Sequence, residues 1–234
     1  MAERCVVHEA RCWPIPDGID DVTVAAIVNP GMSAWLSLQW RAKLIAKESV
    51  LILGATGTTG KLAVQIAKML GAGRIIAVGR DEQTLRTLPS LGADVTIKLD
   101  AHFPEAIEKE AATGFNVILD YLWGAPTEAL LAALARPNFS SATSGRMLLL
   151  QVGESAGATI SLPAAALRSS ALEIMGAGSG AMPSLEYIRE TYDQLLNCAA
   201  AGTLRIETET VPLREVASVW NRPEQSRRRI VFVP

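Results

Sequence analysis

Apolar positions along this chain fall into short uninterrupted runs, separated by longer segments of helical periodicity. The clearest run is Val50–Leu53, bounded by Glu48-Ser49 before it and Gly54 after it. Four consecutive apolar residues between turn-formers fit a strand covered on both faces. Arg74–Val78, Val95–Ile97, Phe115–Leu119 and Arg146–Val152 read as further strands, and Leu172–Met175 as a sixth. Between the first two, Leu62, Ala63, Ile66, Ala67 and Leu70 form one helical stripe that Gly71 closes. Residues 82–91, 127–135 and 184–201 are predicted as helices, the first ended by Gly92 and the last by Gly202. Short strands over Thr208–Val211 and Ile230–Val233 complete the chain. Strands alternating with helices predict an α/β fold built on a doubly wound, parallel, Rossmann-type sheet.

The segment before Val50 does not belong to that rhythm. Cys5–Trp13 reads as extended and ends in the turn cluster Pro14–Gly18. Residues 22–38 read as two short helices separated by Asn29-Pro30-Gly31. This architecture needs neither the strand nor the helix pair.

Composition narrows the functional classes. The chain has 234 residues, is 49% hydrophobic and has a formal net charge of −2. That is enough apolar material for one sizeable core with a small appendage. The near-neutral balance gives no electrostatic footprint for nucleic acid or an anionic membrane. Arg227, Arg228 and Arg229 form one basic cluster, read as a solvated turn before the last strand. No apolar run approaches the ~18 residues of a membrane span. No secretory signal is recognised, so a cytoplasmic protein is expected. The three cysteines Cys5, Cys12 and Cys198 suit a reducing compartment rather than a disulfide framework. On an extended segment Cys5 and His8 point to opposite faces, and no fourth ligand is nearby, so no metal site is predicted.

The candidate chemistry lies after the first strand. Val50–Leu53 runs into Gly54-Ala55-Thr56-Gly57-Thr58-Thr59-Gly60-Lys61, which from Ala55 reads A-x-G-x-x-G. This is the dinucleotide fingerprint with alanine at its first glycine position. Small residues let the chain turn out of the strand and let backbone N–H groups approach a pyrophosphate, while Gly60 lets the helix pack on the sheet. The helix N-terminus adds partial positive charge. The spacing is not that of a mononucleotide P-loop. A tight turn that binds nothing is the competing reading.

The end of the second strand selects the cofactor. Val78 is followed by Gly79-Arg80-Asp81 rather than by an acid directly. Gly79 leaves room for a 2′-phosphate and Arg80 can pair with it, which favours NADPH. Asp81 as a ribose acceptor would give NAD instead.

These motifs, with Ala25–Trp35, Gly92-Ala93-Asp94, Asp120 with Gly124, and Gly145-Arg146 leading to Val152-Gly153, resemble the medium-chain dehydrogenase/reductase superfamily in its quinone-oxidoreductase branch. The resemblance spans essentially the whole chain. It implies that residues 1–24 are a remnant of an N-terminal GroES-like domain, 25–212 the dinucleotide-binding domain, and 213–234 a C-terminal return segment. It also implies that Ser33 lies near the nicotinamide, with a helix N-cap as its other reading. Asn29 stands where zinc-dependent relatives place a cysteine, which marks a zinc-free member; its other reading is a turn with Pro30-Gly31. Val152 and Gly153 match the turn lining the nicotinamide and its ribose. Tyr121 and Leu122 match a loop beside the cofactor ribose, or are ordinary strand-end packing. The chain departs from the pattern where quinone reductases grip the 2′-phosphate with a lysine and a tyrosine, since Thr84 and Leu99 stand near those places.

The implied activity is hydride transfer from NADPH to a quinone, enone or similar small carbonyl substrate, in a homodimer formed near Leu172–Met175. No side chain qualifies as a proton donor, and His102 reads as a surface residue. A non-catalytic NADPH-binding module is the alternative, and a structural protein without cofactor is another. A short-chain dehydrogenase is excluded, because no Tyr-x-x-x-Lys pair occurs.

Overall fold

The computed structural model describes residues 2–135, 146–222 and 228–234. They form two compact units, Ser33–Ser184, and Met1–Met32 together with Leu185–Pro234. Gly145 and Arg227 lie outside the described residues.

The larger unit holds strands β1 (Ser49–Leu53), β2 (Arg74–Gly79), β3 (Val95–Lys98), β4 (Val117–Asp120), β5 (Met147–Gln151) and β6 (Leu172–Gly176). They form one sheet in the order β3-β2-β1-β4-β5-β6. Every neighbouring pair is parallel. The doubly wound sheet expected from the sequence is therefore the fold observed. β1 is central, with Leu53 opposite Val78 on one side and Asp120 on the other. Val50–Leu53 are fully buried, as a strand covered on both faces must be. On β3, at the sheet edge, only Ile97 is buried. Parallel strands need crossovers, and α2 (Thr58–Met69) supplies the one between β1 and β2. The core beneath the sheet joins Leu51, Ile76, Phe115, Ile118, Leu130 and Leu149.

Side chains pin the strand starts. Asn116 Oδ1 accepts from the Ser49 N–H at 2.9 Å. Asp94 Oδ2 accepts from the Ile75 N–H at 2.7 Å, just after Gly92 ends its helix at φ +117°. At the other end of β4, Asp120 is fully buried. Its Oδ1 accepts from the N–H groups of Leu122 and Trp123, each at 2.9 Å, and its Oδ2 accepts from Thr127 Oγ1 at 2.5 Å. These bonds organise the turn into α6 (Gly124–Leu134) and hold Trp123 at φ +57°, a region non-glycine residues seldom occupy. Burial holds the Asp120 carboxyl above its ordinary pKa, opposed by the three donors.

Several local expectations are corrected. Asn29-Pro30-Gly31 does not divide two helices, because α1 runs unbroken over Asp21–Trp35. Pro30 costs one backbone bond. Gly31 serves packing rather than breaking: a Cβ there would sit 2.7 Å from Leu195 of α8 (Leu185–Ala200). Ser33 is thus inside a helix and is no N-cap. A π-helical turn, Leu36–Arg41, follows directly. Cys5–Trp13 forms no strand among the described residues. Instead Glu9–Arg11 is a 3₁₀ turn. The segment 82–91 divides into α3 (Glu82–Leu85) and α4 (Leu88–Leu91), with Pro89, which has no N–H to donate, in the first turn of the second. Three helices were not expected, α5 (Phe103–Ala111), α7 (Ala164–Ser170) and α9 (Val216–Val219). In α5, Phe103, Ile107 and Ala111 are buried at a four-residue spacing.

In the smaller unit, β7 (Thr208–Pro212) and β8 (Arg229–Val233) pair in parallel, with α9 (Val216–Val219) between them. The Trp13 ring packs edge-on against Tyr192 at 5.1 Å.

Two outcomes follow. Gly60→Ala should lower stability by about 1–3 kcal/mol in urea unfolding, because its Cβ would lie 2.2 Å from the Gly54 carbonyl oxygen. Gly57→Ala, with only that oxygen at 3.5 Å, should change it little. For Asp120 the folded pKa stands above the ordinary value of 3.8. Its contribution is therefore fully present below that pH and is lost as pH rises through the folded pKa. Asp120→Asn carries no such loss, so its stability relative to wild type should improve as pH rises from acid toward neutrality. Parallel pH profiles would contradict this.

Candidate functional site

Four strand ends meet in the larger unit, at the point where strand order reverses between β1 and β4. In open α/β sheets ligands bind in the crevice outside the carboxyl ends of the strands at this reversal. Backbone bonds join the four ends. The N–H groups of Gly54 and Ala55 both donate to the Val78 carbonyl, at 3.0 and 2.8 Å. Tyr121 N–H donates to Leu53 O at 3.2 Å. Val152 and Gly153 N–H donate to Asp120 O at 2.8 and 3.1 Å. The Ala156 N–H closes the far side on Leu122 O at 2.7 Å.

The loop after β1 turns at Gly54, φ +92°, where the absence of a Cβ admits Tyr121 and Leu122. Gly57 N–H donates back to Gly54 O at 3.1 Å. Gly57 is the N-cap of α2 and, being glycine, offers no side-chain cap. The N–H groups of Thr58, Thr59 and Gly60 therefore open the helix without intrahelical acceptors, and the first helical bond is Lys61 N–H to Gly57 O at 2.9 Å. Thr56, Thr58 and Thr59 are half-buried around this opening. Ala55 is fully buried and its N–H is committed to Val78, so its part is to shape the turn.

The glycines divide by what they face. Gly60 is required by the fold, since its Cβ would strike the backbone of Gly54 and Ala55. Gly153 lies against the Tyr121 backbone, where a Cβ would meet the carbonyl oxygen at 2.8 Å. Gly79 lies against Thr56, whose methyl would be 2.3 Å from a Cβ. A Cβ at Gly57 would meet only the Gly54 carbonyl oxygen, at an ordinary 3.5 Å, and its φ −77° and ψ 168° suit any residue.

Beyond Gly79, Arg80 is exposed and makes no hydrogen bond or ion pair among the described residues. Asp81 is drawn into the fold: its Oδ1 accepts from the Thr84 N–H at 2.6 Å and caps α3. Thr84 is buried behind it, and Leu99 donates its N–H to Gly79 O at 2.7 Å. A second cation passed over in the sequence stands here. Lys98 is opposite Gly79 in the sheet register, with its ammonium 3.2 Å from Glu82. Only strand pairing reveals that position.

Ala55–Gly60, Gly79, Arg80, Tyr121, Leu122, Val152 and Gly153 are thus brought together. Ser33 lies in the same unit, half-buried in the last turn of α1. Asn29 is exposed and belongs to the smaller unit, outside this set. His102 is exposed. Among the described residues, no group of three or more His, Cys, Asp or Glu could hold a metal ion, and no helix is long and apolar enough to cross a membrane.

Comparison with known proteins agrees with this geometry. Residues 58–201 match the zinc-binding dehydrogenase family. The Emericella nidulans protein named "Probable NADPH-dependent quinone reductase tdiC" is 28% identical over 92% of this chain and 62% of its own length. Quinone oxidoreductase-like protein 2 of Bos taurus is 31% identical over 75% of this chain and 48% of its own length. The chain thus spans less than two thirds of these relatives. The solved structure of AibC superposes with a TM-score of 0.78 at 27% identity, covering 94% of this chain and 62% of that one. Escherichia coli quinone oxidoreductase, solved with NADPH, shares the fold with a TM-score of 0.76 at 20% identity, over 94% of this chain and 67% of that one. With more than half of its residues matched, the chain belongs to the zinc-binding dehydrogenase family, as a quinone-oxidoreductase-like member of the medium-chain dehydrogenases and reductases.

Proposed function

We propose that this chain binds NADPH across the β1/β4 crevice, as the cofactor-binding part of an oxidoreductase that reduces a quinone, enone or similar small carbonyl compound. The observation that carries the reading is Gly57. The fold does not require a glycine there, unlike Gly54 and Gly60 of the same loop, yet this is where a pyrophosphate must approach the N–H groups of Thr58, Thr59 and Gly60. Thr56 hydroxyl and methyl groups border the same opening.

Cofactor choice rests on Arg80 and Asp81. The Asp81 carboxylate is engaged in capping α3, whereas the Arg80 guanidinium is exposed beside Gly79. A guanidinium pairs with a phosphate bidentately, and Lys98 adds positive charge from the neighbouring strand. The named NADPH dependence of the Emericella relative supports the same choice. Tyr121, Leu122, Val152 and Gly153 lie on the β4–β5 side, where the nicotinamide half would rest, and Ser33 of the same unit joins the set proposed from the family. When bound, the reduced nicotinamide supplies the hydride. The chain's own residues bind, orient and exclude water. Asp120 is not a proton donor, because its carboxylate is consumed by the turn.

We place the protein among members that work without zinc, since Asn29 stands where zinc-dependent relatives carry a cysteine. A homodimer joined through β6, an edge of the sheet, and a cytoplasmic location that suits three free thiols belong to the same reading. A non-catalytic NADPH-binding module is the second reading.

Titration with NADPH and NADH, followed by calorimetry, tests the assignment. Wild type should bind NADPH more tightly than NADH. Gly57→Val should abolish binding of both with little loss of stability. Arg80→Ala should weaken NADPH by about tenfold or more, the scale of one charge-assisted contact, and leave NADH nearly unchanged. A Gly57→Val protein with wild-type affinity would sink the site. Oxidation of NADPH with quinones or enones separates the enzyme from the binding module.

A further inference from the structure

Lys98 ends β3 opposite Gly79, the last residue of β2. Side chains paired in this register leave the sheet on the same face. Val78 and Ile97, one pair earlier, both enter the core beneath the sheet. Gly79 and Lys98 therefore project from the other face. That is the face of the phosphate loop, because a Cβ on Gly79 would meet the Thr56 side chain.

The Lys98 ammonium is tethered there by acids. It lies 3.2 Å from Glu82 Oε2 and 3.9 Å from Asp100 Oδ2. Glu82, in the first turn of α3, also takes the Arg86 guanidinium at 2.5 Å across one helical turn. Arg86 foremost, and then Lys98, hold the Glu82 carboxyl below its ordinary pKa, so it carries its charge at neutral pH. A carboxylate thus stands two residues beyond Arg80, on the flank where the 2′-phosphate is proposed to sit. Glu82 and Lys98 are both exposed. An ion pair open to water is weak. A phosphate monoester, with roughly two negative charges, outcompetes a single carboxylate for an ammonium. An unphosphorylated ribose has no charge to offer in exchange.

We propose that Glu82 is a specificity-determining counter-ion, which holds Lys98 in the free protein and yields it to the 2′-phosphate as NADPH binds. Each NADPH bound therefore breaks the Glu82–Lys98 pair, whereas NADH leaves it closed. This inference rests on the NADPH reading above and gives a role to Glu82, which that reading leaves out.

The test titrates wild type, Glu82→Gln, Lys98→Gln and the double variant with NADPH and with NADH, which differ only in the 2′-phosphate. Glu82→Gln should tighten NADPH about threefold and Lys98→Gln should weaken it about fivefold, the scale of single exposed charge contacts. Both should leave NADH unchanged. In the Lys98→Gln background the gain from Glu82→Gln should largely disappear, because no ammonium remains to be released. A gain of undiminished size without Lys98 overturns the inference, by showing that Glu82 acts only through its own charge on the phosphate. NADPH affinity unchanged or weakened by Glu82→Gln, unchanged by Lys98→Gln, or shifted together with that of NADH also overturns it. The NADPH reading then still stands, provided that Arg80→Ala weakens NADPH alone. A wild-type protein that binds neither nucleotide, or prefers NADH, removes both this inference and the reading beneath it.

Discussion

The fold turns on how closely α2 approaches the end of β1. At Gly60 the helix backbone comes so near to Gly54 and Ala55 that no side chain fits between them. That contact fixes the helix start over the strand end, and the rest of the crevice is referred to it. The Gly54 and Ala55 amides tie the turn to β2, and the Tyr121 amide ties β4 to β1. The Asp120 carbonyl then gathers the end of β5. A helix lifted by the width of a methyl group would carry its open N–H groups away from the other three strand ends.

Much of this was legible in the sequence because buried parallel strands leave an unmistakable imprint. Val50–Leu53 and Met147–Leu150 are apolar without interruption since both faces are covered. The phosphate loop could be read because its small residues answer to backbone geometry, which does not depend on distant partners. What escaped depends on partners. Pro30 and Gly31 read as a break, yet Gly31 is where α8 comes closest, and packing outweighs the bond that Pro30 forfeits. The helix over Phe103–Ala111 was hidden by its polar residues, although its three buried positions keep a four-residue spacing. Lys98 gained interest only through its register with Gly79.

Asp120 and Asp81 show how a residue type can mislead. Each is an acid at the end of a strand, beside the crevice, where a proton donor or a ribose acceptor would be sought. Each instead accepts backbone N–H groups and starts a helix. Acidic side chains at strand-to-helix turns satisfy donors that the helix itself leaves open, and that demand is met before any ligand arrives. Among the described residues Arg80, beyond β2, has no such duty.

The contact between Gly79 and Thr56 bears on how such a protein could evolve. Recognition of an unphosphorylated ribose is usually built on an acidic side chain at the end of the second strand. Here any Cβ at position 79 would overlap the Thr56 side chain. An acid can be accommodated there only if position 56 shrinks as well, and shrinking position 56 alone gains nothing. The two positions are epistatic, so a lineage carrying this pair sits behind a two-step barrier to exchanging its nucleotide preference, although the crevice itself would need no rebuilding.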